Sequence, residues 1–175
     1  MLDAITQATS ADFDALWQFY SDVCNQQAND PYSPQWTLGV YPAEEDIRGH
    51  LEAGDLHVGW VDGVPAAAMV VTMHEDPEYA DVPWITSAAD DEVAVIHLLA
   101  VHPRARGQHV GSELVREAIR LSREAGKRVM HLDVVPGNQA ASRIYEAEGF
   151  VHACTHQVFY EDTGLMDFDM YELAL

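Results

Sequence analysis

Basic residues are scarce in this chain: nine Lys and Arg stand against 29 Asp and Glu, giving a net charge of −20 over 175 residues. A surface that acidic excludes a broad nucleic-acid interface, which needs a basic face to displace counterions from phosphates. No apolar run approaches the ~20 residues of a membrane-spanning helix, so no membrane partner is expected. The opening stretch MLDAITQATSADFD lacks the basic and apolar regions of a signal peptide, and the expectation is a cytoplasmic protein. Cys24 and Cys154 are the only cysteines, and their separation suggests reduced thiols rather than a disulfide framework. There is no Gly-x-x-x-x-Gly-Lys-Ser/Thr loop for a nucleoside triphosphate and no Gly-x-Gly-x-x-Gly for a dinucleotide. There is also no His-Glu-x-x-His. His152 and His156, four apart on an expected strand, are too extended to share one ion, so no metal is expected.

What is present fits one domain over residues 1–175. Ile5–Ala8 predicts a short strand, and Thr9 or Ser10 can cap a helix to about Gln26 with Phe13, Leu16, Trp17, Tyr20 and Val23 on one face. Pro42 suits the first turn of a second helix ending at Gly54. Leu56–Trp60, the turn Asp62-Gly63 and Val64–Met73 form a hairpin signal. His74–Asp91 is a long acidic loop, and Glu92–Val101 is the central strand. Val110–Ala125 carries an apolar helical stripe. Val129–Val135, a short helix from Asn138 closed by Gly149, and a last hairpin turning at Asp162-Thr163-Gly164 complete the chain. Strand–helix–strand units imply parallel pairing and hairpins antiparallel pairing. The expected fold is therefore α/β (α+β mixed), a central, mostly antiparallel six- to seven-stranded sheet with helices on both faces.

The stretch Val93–Gly111, VAVIHLLAVHPRARGQHVG, organises the rest. A strand runs through a Pro into a basic, Gly-bearing loop that opens directly into a helix. Unpaired amides and the positive end of the helix dipole make such a junction an anion site. The charge distribution agrees: eight of the nine basic residues lie between Arg104 and Arg143, among only four acids. One positive patch on an acidic body suits a small polyanionic ligand.

Arg106-Gly107-Gln108-His109-Val110-Gly111 resembles the acyl-CoA loop of the GNAT acetyltransferase superfamily, Gln/Arg-x-x-Gly-x-Gly/Ala. Asn138-x-x-Ala141-x-x-x-Tyr145-Glu146-x-x-Gly149-Phe150 is similar to that family's second signature, and LLAVHP to its fourth strand. The resemblance covers about a third of the chain, from Val93 to Phe150. It departs at His109, where the family has its first motif glycine. A Cβ there restricts close approach of the backbone to a ligand, although the amide can still donate.

The resemblance implies an acyl-CoA N-acyltransferase fold, acetyl-CoA as co-substrate, and transfer to a primary amine by direct attack in a ternary complex. The loop amides Gly107, Gln108, His109, Val110, Gly111 and Ser112 would bind the pyrophosphate, with Arg104 and Arg106 adding charge. Leu99, Ala100 and Val101 would pair with the pantetheine arm like an added strand. Asn138 and Ala141 would contact the coenzyme, Asn138 equally reading as a helix N-cap. Tyr145 is the candidate acid: its phenol stays protonated at neutral pH and can serve the departing thiolate. Glu92 and His97 are the base candidates; five apart, they face opposite sides of a regular strand. Tyr32, Trp36, Tyr41 and Trp84 could line the acceptor site. Acids of the His74–Asp91 loop there would favour a cationic amine such as a polyamine, an aminoglycoside or a peptide N-terminus. A non-catalytic acyl-CoA sensor of the same fold is the alternative, motivated by His109. The chain is expected as a monomer or a homodimer paired through hairpin edges.

Overall fold

The structure, a computed structural model, describes residues 1–29, 34–161 and 164–175. Tyr32 and the Asp162-Thr163 part of the last turn lie outside the described residues. Strand β1 (Ala4–Gln7) leads into a capping box in which the Thr9 amide and hydroxyl donate to the Asp12 carboxylate at 2.8 and 2.9 Å. One 3₁₀ turn and α1 (Phe13–Gln26) follow, with Phe13, Leu16, Tyr20 and Val23 buried at helical spacing. Pro42 stands just ahead of α2 (Glu44–Ala53) rather than inside its first turn. The cap residue Ala43 has no side-chain oxygen, so the Asp46 carboxylate accepts from the Ala43 amide instead, at 2.7 Å. Gly54 ends α2 in the left-handed conformation, φ 75°.

The hairpin β2 (Leu56–Val61) and β3 (Val64–Thr72) precedes the central strand β4 (Val93–Val101). Then come α3 (Val110–Glu124), β5 (Val129–Val134), α4 (Gln139–Ala147), β6 (Val151–Tyr160) and β7 (Gly164–Ala174). The seven strands form one sheet in the order β1-β2-β3-β4-β5-β7-β6. Only β4 and β5 run parallel; the other pairs are antiparallel. Buried residues of α1 and α2 pack on one face of the sheet and those of α3 and α4 on the other. This is the mixed, helix-covered sheet that the alternation of units predicts.

The sheet is interrupted at its centre. Val70 pairs with His97 and Ala68 with Ala100, so β4 carries one extra residue there. Leu98 takes the strain at φ 49°, a left-handed conformation costing on the order of 1–2 kcal/mol for a side chain with a Cβ. The fully buried Tyr20 phenol secures the bulge by donating to the Leu98 carbonyl at 2.9 Å. The extra residue also reverses which side chains face which helices. Ala94 and Ile96 pack with α3, whereas Leu98 and Ala100 pack with α1 and α2. On the other side of β4, pairing with β5 ends at Val95↔His131. From Ile96 onward the two strands diverge.

The acidic segment 74–91 folds onto the sheet. Tyr79 and Val82 join a core cluster with Val129, Val158, Phe168 and Met170. Trp84 stacks on His131 with ring centroids 3.6 Å apart. The Ile85 and Thr86 amides donate to the Glu172 carboxylate at 3.0 and 3.2 Å. Among the described residues no helix is long and apolar enough to cross a membrane.

Candidate active site

Two cavities occupy the gap where β4 leaves β5. The larger, of about 410 Å³, lies at the start of α3 and is lined by Leu99–Val101, Arg106, Gly107, His109–Ser112, Asn138 and Ala141. Gly111 packs tightly: a Cβ there would meet Ile144 Cδ1 at 3.0 Å and Val101 Cγ2 at 3.3 Å. His109 caps α3 at φ 62°, ψ 12°. The substitution of the motif glycine thus changes the residue but keeps a left-handed backbone that glycine adopts without strain.

The expected charge of Arg104 points elsewhere, and of the loop residues expected to offer amides Gln108 is the one that does not line the cavity. The Arg104 guanidinium donates to the Pro65 carbonyl at 3.0 Å, and the Gln108 side chain donates to the Arg104 carbonyl at 3.1 Å. Neither residue lines the cavity, which leaves Arg106 as the one Lys or Arg lining it among the described residues. Half of the rest of the basic window is paired with acids within the protein. Arg116 pairs with Glu148, Arg120 with Glu117 and Glu124, and Arg128 with Glu92. The charge asymmetry therefore describes the outer face of α3 more than the ligand cleft.

The second cavity, of about 130 Å³, shares Pro34, Leu99, Asn138 and Ala141 with the first and so adjoins it. Tyr145 lines it from α4, its ring edge-on to Phe150 at 5.6 Å. Burial, reinforced by the nearby Asp133 charge, holds the Tyr145 phenol well above its ordinary pKa, so it keeps its proton. Asn138 caps α4 by accepting from the Ala141 amide at 3.1 Å and also lines both cavities.

Asp133, on β5, is the carboxylate of this cavity among its described lining residues. It accepts from the Tyr160 phenol at 2.7 Å. Burial pushes its pKa up, against the opposing influence of Tyr160 and His97. Sequence reading passed over Asp133. The available signal was a lone acid in the apolar strand VMHLDVV, where an unpaired carboxylate is costly.

His97 also lines the cavity, with Nε2 3.3 Å from the Asp76 carboxylate. Burial nevertheless brings its pKa down to about 4, so the ring is neutral and a weak base at neutral pH. Glu92 is not brought to the cleft. It lies in a 3₁₀ turn before β4, accepts from the Ala89 amide at 2.9 Å and pairs with Arg128 at 2.9 Å. The opposite-face argument for Glu92 and His97 assumed one regular strand, whereas Glu92 precedes the strand altogether. Of the acceptor-site aromatics, Trp36 and Tyr41 line the cavity and Trp84 is spent on His131. Two of the loop acids are committed as well: Glu75 lies 2.7 Å from His131 Nδ1, and Asp76 faces His97.

A mixed sheet that splays beside its one parallel pair, with a helix N-terminus at the mouth of the gap, defines a GNAT-type acyltransferase fold. A crystal structure of a GNAT-family acetyltransferase from Streptococcus agalactiae superposes with a TM-score of 0.80, covering 100% of this chain and 98% of that one at 17% identity. The ribosomal-protein-alanine N-acetyltransferase of Brucella melitensis superposes at 0.72, covering 98% and 99% at 20% identity. The sequence profile of the acetyltransferase (GNAT) family matches residues 13–150, and the chain belongs to that family. Over 70 residues it is 36% identical to an uncharacterized N-acetyltransferase of Methanocaldococcus jannaschii, covering 40% of this chain and 31% of that protein. Over 97 residues it is 30% identical to a Bacillus subtilis protein provisionally named a ribosomal protein bS18-alanine N-acetyltransferase, covering 55% and 63%. The matches thus span less than two thirds of either curated relative.

Proposed function

We propose that this chain transfers the acetyl group of acetyl-CoA to a primary amine. The observation that carries the reading is the adjacency of the two cavities: the amides at the start of α3 line one, Tyr145 and Asp133 line the other, and the two share Leu99, Asn138 and Ala141 as walls. The diphosphate fits the helix N-terminus. The pantetheine arm fits the β4 edge beyond Val95, where backbone groups have no β5 partner.

In this reading Asp133 takes the proton from the incoming ammonium, and the neutral amine forms the new C–N bond as the C–S bond breaks. Tyr145 gives its proton to the departing sulfur and takes one back from the acylated nitrogen, which must lose its extra proton to become the amide. Asp133 replaces Glu92 and His97 as the proposed base because it combines position in the cavity with a raised carboxylate pKa. His97 remains in the cavity as a neutral neighbour. Asp133 supplies the one counter-charge among the described lining residues, between Trp36, Tyr41 and Phe168. That lining favours a monoamine on an apolar framework, small molecule or peptide N-terminus, over a polyamine or aminoglycoside. The alanine amines in the names of the Brucella and Bacillus proteins are of that kind. The sensor alternative rests on His109, which still lines the cavity at the start of α3.

The test is twofold. Acetyl-CoA should raise the melting temperature, and free thiol should be released when monoamines and short peptides are added with acetyl-CoA. A melting shift with no transfer across the panel would favour the sensor, and no shift at all would remove both.

A further inference from the structure

The smaller cavity is lopsided in charge. Asp133 lines it, and among the described residues no Lys or Arg does; residues 30–33 and 162–163 contain neither in sequence. Burial keeps the His97 ring neutral there. The N-terminus of α4 is the other positive feature at its border. Its Gln139 and Ala141 amides already donate to the Gly137 carbonyl at 2.8 Å and to the Asn138 side chain at 3.1 Å. An acid group brought in beside the amine would therefore face Asp133 with no cation to pair with. The walls are apolar and largely aromatic. Trp36 and Tyr41, from the connection between α1 and α2, meet edge to face at 6.2 Å. Tyr160 and Phe168, from the last hairpin, meet the same way at 5.4 Å.

We infer, resting on the amine-transfer reading above, that the acceptor is an arylalkyl monoamine: a single aromatic ring, a short saturated chain and a primary amine, with no acid group. The cavity volume of about 130 Å³ is close to the ~150 Å³ of an apolar cavity that admits benzene, so it has room for one ring. Aromatic walls favour a ring over an alkyl group of equal area, because edge-to-face contacts add to the burial. The ammonium end pairs with Asp133. A free amino acid would carry its carboxylate on the amine-bearing carbon, against that same charge. A protein N-terminus would carry a peptide carbonyl and N–H there. Tyr160, Asn138 and His97 already have partners within the protein, so burying that peptide group leaves it poorly satisfied. Amines of the inferred class are what decarboxylation of an aromatic amino acid supplies.

Thiol release from acetyl-CoA by the full chain, measured with matched amines, tests this. In kcat/KM, phenethylamine should exceed phenylalanine, which differs from it by one carboxylate, by about 10²-fold or more. It should exceed ethylamine, which lacks the ring, by roughly 10- to 100-fold. It should also exceed an alanyl tripeptide. Met166 and Phe168 both line the cavity. Met166→Trp, which takes up ring space, and Phe168→Leu, which removes an aromatic wall, should each shrink the ratio of phenethylamine to ethylamine severalfold. A mere loss of folded protein would lower both rates and leave that ratio alone. Equal use of phenylalanine or of ethylamine, a preference for the tripeptide, or a ratio unchanged in both variants would overturn the inference while leaving amine acetylation in place. Inertness of every amine would remove both.

Discussion

Tyr160 and Asp133 meet across an intervening strand: the phenol of β6 reaches past β7 to donate to the β5 carboxylate at 2.7 Å. The bond fixes Asp133 in the cavity without neutralising it, and burial leaves it a stronger base than a solvated carboxylate.

Asp133→Asn should therefore separate activity from stability. Turnover should fall by roughly 10²–10⁴, the usual worth of a positioned acid or base. The fold should gain stability at neutral pH. A folded pKa raised above the unfolded one gives stability that is full below the unfolded pKa and lost as pH rises through the folded value. The native carboxylate thus costs stability at pH 7, and asparagine removes that cost while still accepting from Tyr160. Melting curves should show the variant's advantage vanish below the ordinary value of 3.8. Glu92→Gln, in contrast, should leave turnover unchanged.

Tyr145→Phe should lower turnover by about 10² while the KM for acetyl-CoA holds, since the hydroxyl is needed at the departing sulfur and not for binding. The ring keeps its contact with Phe150, so the melting temperature should hold as well. Steady-state kinetics with an unchanged turnover would remove Tyr145 from the chemistry.

His97 should make itself felt in stability. Its folded pKa, depressed from 6.5 to about 4 by burial, gives stability present above 6.5 and lost as pH falls toward 4. Denaturant titrations at pH 7 and pH 5 should show that loss in the native protein and a smaller one in His97→Gln. The histidine should also produce no limb near 6.5 in the turnover profile of the native enzyme.

His109→Gly should stabilise the protein. The left-handed backbone costs a residue with a Cβ on the order of 1–2 kcal/mol, and the extra freedom of glycine when unfolded takes back roughly 0.5–1 kcal/mol. A net gain of about 0.5–1 kcal/mol is expected in denaturant unfolding, with acetyl-CoA affinity equal or tighter. His109→Val, whose branched side chain tolerates that backbone less well, should lose stability.

Much of this fold was legible because its elements announce themselves locally. Asp62-Gly63 between alternating strands, the cap at Thr9, and Gly54 and Gly149 at helix ends each state a backbone conformation by residue type. The bulge at Leu98 was not legible. In VAVIHLLAV nearly every residue is apolar, so no polar alternation records the change of face, and the assignment of His97 to a side required the coordinates. Asp133 was hidden for the converse reason: its significance comes from the gap between β4 and β5, which is a tertiary feature. Arg104 carried the expected charge, but a backbone carbonyl within reach claimed its side chain.

The parallel seam between β4 and β5 is three residue pairs long. The segment 74–91 crosses it, leaving β3 and gripping the far half of the sheet through the His131 ring and the Glu172 carboxylate. What looked like an acidic lip for substrate thus joins the two sides of that seam through side chains, where strand pairing is short. A substitution at Trp84 or Glu75 should lower the melting temperature, at residues that line neither cavity.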